Sequence, residues 1–132
     1  MIRTPVCDVL EIDHPIALGG MGSAYSPDLV AAVSNAGGLG AMGCHRLNAE
    51  QIRAGTAALR ERTNKPFALN FLLFDLVEER FAAALALRPK AMAFAWPRPE
   101  QDLKSYVGRA HDAGCKVTFM ANGVPEAVKA AE

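Results

Sequence analysis

Two short features of the sequence combine residue types that could hold a flat ligand. Gly19, Gly20 and Met21 end an apolar run that starts at Ile16, and Asn70 lies inside the apolar stretch 67–73. Glycines without a Cβ let a ligand approach the backbone closely and leave amide N–H groups free to donate to it. A tight turn from a strand into a loop would use the same two glycines, so both interpretations of the pair stay open.

Asn70 is the sharper of the two candidates. A buried amide that lacks hydrogen-bond partners costs roughly 1 to 3 kcal/mol, so this side chain must bond either to neighbouring backbone or to a ligand. Because it stands near the end of a buried apolar run, we favour ligand contact.

The other polar residues do not form a catalytic set. His45 follows a predicted strand and lies on the predicted active face, whereas His14 precedes a strand and His111 falls within a predicted helix. No serine, histidine and acid arrangement or facing pair of carboxylates can be assembled around them, so the catalytic residue stays unknown. The glycine-rich segment 35–43 follows a helix and precedes a strand, which is the reverse of a phosphate-binding loop.

The elements that must position these residues alternate along the chain. Nearly continuous apolar runs predict strands that are buried on both faces. These runs cover residues 16–21, 39–43, 67–73, 91–95 and 116–121. Helix-start signals accompany three segments with helical periodicity. Ser26 and Asn48 precede the first two, and Pro99, Glu100 and Asp102 open the third. The sequence therefore predicts about five parallel strand–helix units in an α/β fold.

Two architectures fit such units. A doubly wound open sheet would be complete at 132 residues, whereas an eight-unit barrel takes typically about 250 residues. Even spacing of the strand ends indicates repeated strand–helix units without a second domain, and the length favours the open sheet, so both architectures stay open at this point. In either architecture ligands gather beyond the carboxyl ends of the strands, where Gly19 to Met21 and Asn70 are expected.

Composition limits the function classes. Fourteen basic and fourteen acidic residues cancel without a block of like charge, which excludes the electrostatic footprint of a nucleic-acid or anionic-membrane binder. No apolar stretch has the length of a signal peptide core or a membrane span. The three cysteines are widely spaced, without metal-ligand spacing, which indicates free thiols in the cytoplasm. A small-molecule substrate and no metal are expected.

Three segments, in this order, resemble the amino-terminal half of the nitronate monooxygenases, formerly called 2-nitropropane dioxygenases. They are HPIALGGMGSAYSPDLVAAVSNAGGLGAMG, TNKPFALNFLL and HDAGCKVTFMANGVPEAVKAAE. The resemblance implies a partial TIM (β/α)8 barrel that binds FMN, with residues 1–132 as the amino-terminal portion of a single domain. It also implies that Gly19, Gly20 and Met21 lie against the flavin ring and that Asn70 contacts FMN. Some members of this family carry a lysine near the end of strand five, where this chain has Met120.

By this resemblance the reaction is oxidation of an alkyl nitronate by FMN, with oxygen reoxidising the flavin. Met21, Phe71 and Trp96 are candidates for the substrate side, although Phe71 and Trp96 also suit ordinary packing. Flavin-dependent enoyl-acyl carrier protein reductases share the pattern and form the first alternative. A non-catalytic half-barrel that acts as an assembly subunit is the second.

The end of the sequence predicts an incomplete barrel. The segment PEAVKAAE lacks the glycine that ends the preceding helices. Open strand edges and half of a barrel lining would then face water, so we expect a fragment, a homo-oligomer, or a chain completed by a partner chain. As an isolated monomer the chain is expected to bind FMN weakly, if at all.

Overall fold

In the computed structural model, which describes residues 2–22 and 26–132, parallel strands alternate with helices. The helices are α1 (Pro5–Leu10), α2 (Pro27–Asn35), α3 (Ala49–Arg60), α4 (Glu78–Leu87), α5 (Leu103–Asp112) and α6 (Val124–Ala131). The strands are β1 (Gly40–Gly43), β2 (Phe67–Leu72), β3 (Ala91–Ala95) and β4 (Lys116–Met120). A 3₁₀ turn, Leu73–Asp75, follows β2.

The sheet topology decides between the two predicted architectures. The four strands are parallel and lie in the order β1-β2-β3-β4, so each strand pairs with its neighbours in sequence. A doubly wound sheet reverses its strand order at a switch point and carries helices on both faces. Unbroken order with the helices outside is typical of a barrel wall, so this fold is part of a (β/α)8 barrel.

Side-chain size differs between the two faces of this wall. On the outer face, large strand residues such as Met42, Phe71 and Met92 share one buried cluster with residues of α2 to α5, including Ile52 and Phe81. The inner face carries mostly small residues at the amino ends of the strands. Ala41, Ala68 and Ala91 form a second buried cluster there with Cys7 and Leu10 of α1. The short helix α1, which the sequence patterns did not predict, therefore closes the inside of the wall at the amino ends.

The predicted helix starts at Ser26 and Asn48 are confirmed, whereas α5 begins at Leu103, later than the predicted opening at Glu100. The Ser26 side chain accepts a hydrogen bond from the Leu29 amide, and Asp102 accepts one from the Ser105 amide. Asn48 and Gln51 form a capping box, in which each side chain accepts from the other residue's backbone N–H. Each cap satisfies a backbone donor that the first helical turn leaves without a partner.

The first of the five predicted strands forms only a single parallel bridge, between Ala17 and Leu39. Two backbone hydrogen bonds hold it, from the Leu18 amide to Leu39 and from the Leu39 amide to Ile16. Beyond Leu18 the chain crosses the end of β1. There the Gly20 carbonyl oxygen lies so close to Gly43 that a Cβ on Gly43 would overlap it. The glycine bend thus ends the pairing before a full strand ladder forms.

No helix within residues 2–22 and 26–132 combines the length and the apolar composition that crossing a membrane requires.

Candidate functional site

The structure brings the glycine bend and Asn70 to one cavity at the carboxyl ends of the strands. This cavity has a volume of about 490 Å³, which lies in the range of small-molecule sites. All four residues predicted to bind a cofactor, Gly19, Gly20, Met21 and Asn70, line it. Its other walls come from the inner face and the ends of β2, β3 and β4, including Leu72, Ala93, Trp96, Thr118 and Met120.

Gly20 packs directly against the Asn70 side chain. A Cβ built on Gly20 would overlap Oδ1 and Cγ of Asn70 and would lie 2.9 Å from its Cβ. On its other side the Gly20 carbonyl oxygen lies where a Cβ of Gly43 would be. The backbone of residue 20 is therefore held between Asn70 and Gly43, and the absence of a side chain at both glycines makes this approach possible.

Asn70 has one hydrogen bond to the sheet and an acceptor oxygen left for another group. Its Nδ2 donates to the Ala93 carbonyl oxygen at 3.2 Å, which fixes the orientation of the amide. Among the residues of the described ranges, none donates to its Oδ1. The two interpretations of Asn70 are thus compatible, since the nitrogen bonds to neighbouring backbone while the oxygen can meet a ligand.

The described lining of the cavity has few polar side chains. Of the described residues that line it, Asn70 and Thr118 have polar side chains, and none is charged. Met120, at the position where some family members carry lysine, is about half exposed at the end of β4. A ligand in this part of the site would meet apolar walls, the backbone of the glycine bend and two polar side chains.

Strained backbone concentrates at the same end of the sheet. Met21 has a φ of 57°, and Trp96, directly after β3, has a φ of 53°. Arg46, three residues after β1, has a φ of 65°. A left-handed conformation costs a residue with a side chain about 1 to 2 kcal/mol, and such residues cluster at functional sites.

The histidines do not line the cavity. His45 lies at the end of β1 with its ring 6.0 Å from that of Phe74. Its Nδ1 is 3.3 Å from a carboxylate oxygen of Asp75, and Arg80 approaches the same oxygen at 3.4 Å. His14 is half-buried beside Gly37, and His111 is exposed on α5. This arrangement identifies no catalytic base, and the catalytic residue stays unknown.

The three apolar candidates for the substrate side differ in burial and in whether they line the cavity. Phe71 is 1% exposed in the outer core, as its packing interpretation predicts. Met21 and Trp96 line the cavity and are about half exposed. Thr118 was missed, although the sequence carried a signal for it, since Thr118 is a polar residue inside the apolar run 116–121 just as Asn70 is in 67–73.

The three cysteines are free and buried. Burial raises the pKa of the Cys44 thiol to about 12 and also raises that of Cys115, so both thiols stay protonated at neutral pH. We expect no thiol of the native chain to react within minutes with Ellman's reagent at pH 8, whereas all three react in denaturant. A native thiol that reacts as fast as free cysteine would contradict this packing.

Comparison with known proteins agrees with the geometry. The sequence profile of the nitronate monooxygenase family matches residues 3–132. A probable nitronate monooxygenase of Staphylococcus saprophyticus is 30% identical over 95% of this chain, which corresponds to 38% of the relative's length. A Mycobacterium tuberculosis protein named (3aS,4S,5R,7aS)-5-hydroxy-7a-methyl-1-oxo-octahydro-1H-indene-4-carboxyl-CoA dehydrogenase is 30% identical over 88% of this chain and 32% of its own length.

Solved structures show the same relationship. The M276A mutant of FabK from Thermotoga maritima superposes with a TM-score of 0.90 at 32% identity, over 98% of this chain and 43% of that one. A nitroalkane oxidase of Streptomyces ansochromogenes shares the fold with a TM-score of 0.77 at 21% identity, over 97% of this chain and 45% of that one. This chain thus spans less than half the length of these relatives. The profile match over almost the whole sequence shows that the chain belongs to the nitronate monooxygenase family.

Proposed function

We propose that this chain forms the wall of an FMN site that faces the flavin ring, in an oxidoreductase that oxidises alkyl nitronates. The observation that carries the proposal is the packing of the Gly20 backbone against the Asn70 amide on one wall of the cavity. The resemblance assigned flavin contacts to these same residues. An apolar cavity with a few fixed polar groups is what a flat heteroaromatic ring requires.

The residues of the cavity fit the ring of FMN through their chemistry. FMN, when bound, supplies the electron-accepting ring for the oxidation. The backbone N–H groups of Gly19 and Gly20 would donate to a ring atom that gains negative charge and would stabilise that charge without a side-chain cation. Oδ1 of Asn70 would accept from a ring N–H, and Leu72 and Ala93, which also line the cavity, would exclude water beside it.

The described cavity lining lacks a cation that could bind the FMN phosphate, so we assign the phosphate site to protein outside these residues. The remainder of the barrel would come from further sequence of the same protein, from a second copy, or from a partner chain. A cytoplasmic location is part of the proposal, since free buried cysteines suit a reducing compartment.

A flavin titration of the chain tests the proposal. Trp96 is the only tryptophan of the sequence and lines the cavity, so its emission should be quenched as flavin binds. Because the described lining offers contacts to the ring and no cation, we expect FMN and riboflavin to bind with affinities within about threefold of each other. Flavin binding that leaves Trp96 emission unquenched would contradict the proposal, and FMN binding tenfold tighter than riboflavin would place a phosphate site in this chain.

The second candidate is a flavin-dependent enoyl-acyl carrier protein reductase. The uncharged apolar cavity suits an acyl chain as well as an alkyl nitronate, and the Mycobacterium relative is named for a CoA thioester. Two assays of the complete protein separate the candidates. Nitrite release from nitronate without nicotinamide supports the first, whereas nicotinamide oxidation that depends on an enoyl thioester supports the second. A defined oligomer with neither flavin nor activity would favour the assembly subunit.

A further inference from the structure

Trp96 combines three properties that ordinary packing does not explain. It follows β3 directly in a left-handed backbone conformation, with a φ of 53°. Its side chain is large and apolar, yet 48% of the residue's surface is exposed. It also lines the cavity that holds the glycine bend and Asn70. Glycine would adopt this backbone conformation without cost, so a tryptophan here carries a conformational penalty.

Neighbouring groups hold the indole in place. The Trp96 ring stacks on the Phe74 ring with centroids 6.5 Å apart and planes inclined by 25°. The Phe74 amide donates to the Trp96 carbonyl oxygen at 3.1 Å, which ties the end of β3 to the turn after β2. Aromatic stacking and a backbone hydrogen bond thus fix a half-exposed indole at the cavity.

Trp96 differs in burial from the aromatic residues of the outer core. Phe71 and Phe94, which belong to the outer core, are each 1% exposed. The described residues leave about half of the Trp96 surface uncovered, and Met21, also left-handed and half exposed, lines the same cavity. Two large apolar side chains in costly conformations therefore stand where a ligand could cover them.

The geometry points to Trp96 as a specificity-determining residue: its indole, backed by Phe74, is the apolar surface on which the organic substituent of the substrate packs. This inference rests on the proposed function and deepens it. Substrates with flat or extended apolar substituents gain contact with the indole, whereas the smallest substrates do not reach it. Loss of such an apolar contact changes discrimination between substrates by about tenfold or more.

Binding of two unreacted nitroalkanes, nitroethane and 1-nitro-2-phenylethane, tests the inference without turnover. Calorimetric titrations would use the protein as purified, with or without flavin. We expect the phenyl compound to bind about tenfold more weakly to Trp96→Gly than to the wild type, and Trp96→Phe to stay within about threefold of the wild type. Nitroethane should bind all three proteins equally. Val128→Ala, which trims a half-exposed apolar residue of α6, should change neither affinity.

Urea unfolding checks that Trp96→Gly is folded, and the φ of residue 96 predicts that glycine is tolerated there. If this variant does not fold, quenching of Trp96 emission in the wild type gives a second readout, since nitro groups quench indole on contact. The phenyl compound should then quench Trp96 emission at concentrations at which nitroethane, which does not reach the indole, leaves the emission unchanged. Equal binding of both compounds by the wild type, no binding of either, or an equal loss of both in Trp96→Gly would overturn the inference.

The same variants distinguish this inference from the proposed function. If the selective loss of the phenyl compound appears but no variant or wild-type protein releases nitrite from a nitronate, the role of Trp96 stands and the proposed reaction fails. If nitrite is released and Trp96→Gly keeps the wild-type ratio of kcat/KM between the two nitronates, the reaction stands and the role of Trp96 fails.

Discussion

Gly20→Ala is expected to weaken flavin binding at least about tenfold and to lower the free energy of unfolding by about 1 to 3 kcal/mol. The new Cβ would occupy the position of the Asn70 side-chain oxygen, so either the bend or the Asn70 amide must move. Either movement separates the two groups that we assign to the flavin ring. Flavin titration and urea unfolding of the variant measure the two effects.

Two other glycines provide matched controls for Gly20→Ala. A Cβ at Gly19 meets nothing within 4 Å, so Gly19→Ala should leave the stability unchanged while lowering the affinity for flavin, if the ring lies over the bend. A Cβ at Gly108, inside α5, also meets nothing, and Gly108→Ala should stabilise the protein by about 0.5 to 1 kcal/mol without changing flavin binding. A Gly20→Ala protein that binds flavin like the Gly108→Ala protein would refute the assigned site.

Asn70→Asp should cost flavin affinity about tenfold or more and destabilise the fold by about 1 to 3 kcal/mol. The substitution replaces the Nδ2 donor with a carboxylate oxygen that faces the Ala93 carbonyl oxygen, so a hydrogen bond becomes a repulsion. The carboxylate would also place negative charge where reduced flavin needs stabilisation. Flavin affinity, the flavin reduction potential and urea unfolding report these effects.

A double-mutant cycle isolates the contact itself. Asn70→Ala removes Oδ1 and Cγ, the two atoms of Asn70 that a Gly20 Cβ would overlap most. Gly20→Ala should therefore destabilise the Asn70→Ala protein less than the wild type, with a coupling of about 0.5 to 3 kcal/mol. Flavin binding should stay weak in the double variant, since the amide is gone. Additive stability changes would show that the two residues do not touch.

Sequence patterns were sufficient for strands β1 to β4, for helices α2 and α3, and for the end of the sheet that carries the cavity. Caps at Ser26 and Asn48 are local, so they can be recognised without tertiary structure. Continuous apolar runs identified β1 to β4, and parallel strands place their carboxyl ends together. Gly19 to Met21 and Asn70 therefore had to lie on one side, and the structure places them on one cavity.

The contacts inside the cavity could not be read from the sequence. The approach of Gly20 to Asn70 and Gly43 joins residues far apart in the chain, and no spacing rule encodes it. The reduction of the first strand to one bridge is a tertiary effect, because its residues match the strand pattern and the glycine bend then draws the chain away from β1. The left-handed conformation of Trp96 could not be predicted from the sequence either, since the residues around it predict only a loop.

The choice between a barrel and a doubly wound sheet also needed the structure. Both architectures use continuous apolar strands, and the length of 132 residues suited the open sheet better. The unbroken strand order and the packing of helices α2 to α5 on one face identified the fold as part of a barrel.

An NMR titration of the 15N-labelled chain with FMN tests the central claim most directly, because it resolves individual residues and detects weak binding. The account predicts that chemical-shift changes concentrate on the amides of Gly19, Gly20 and Met21, the side-chain NH2 of Asn70 and the indole N–H of Trp96. Chemical-shift changes that cluster elsewhere, such as between α5 and α6, would contradict it.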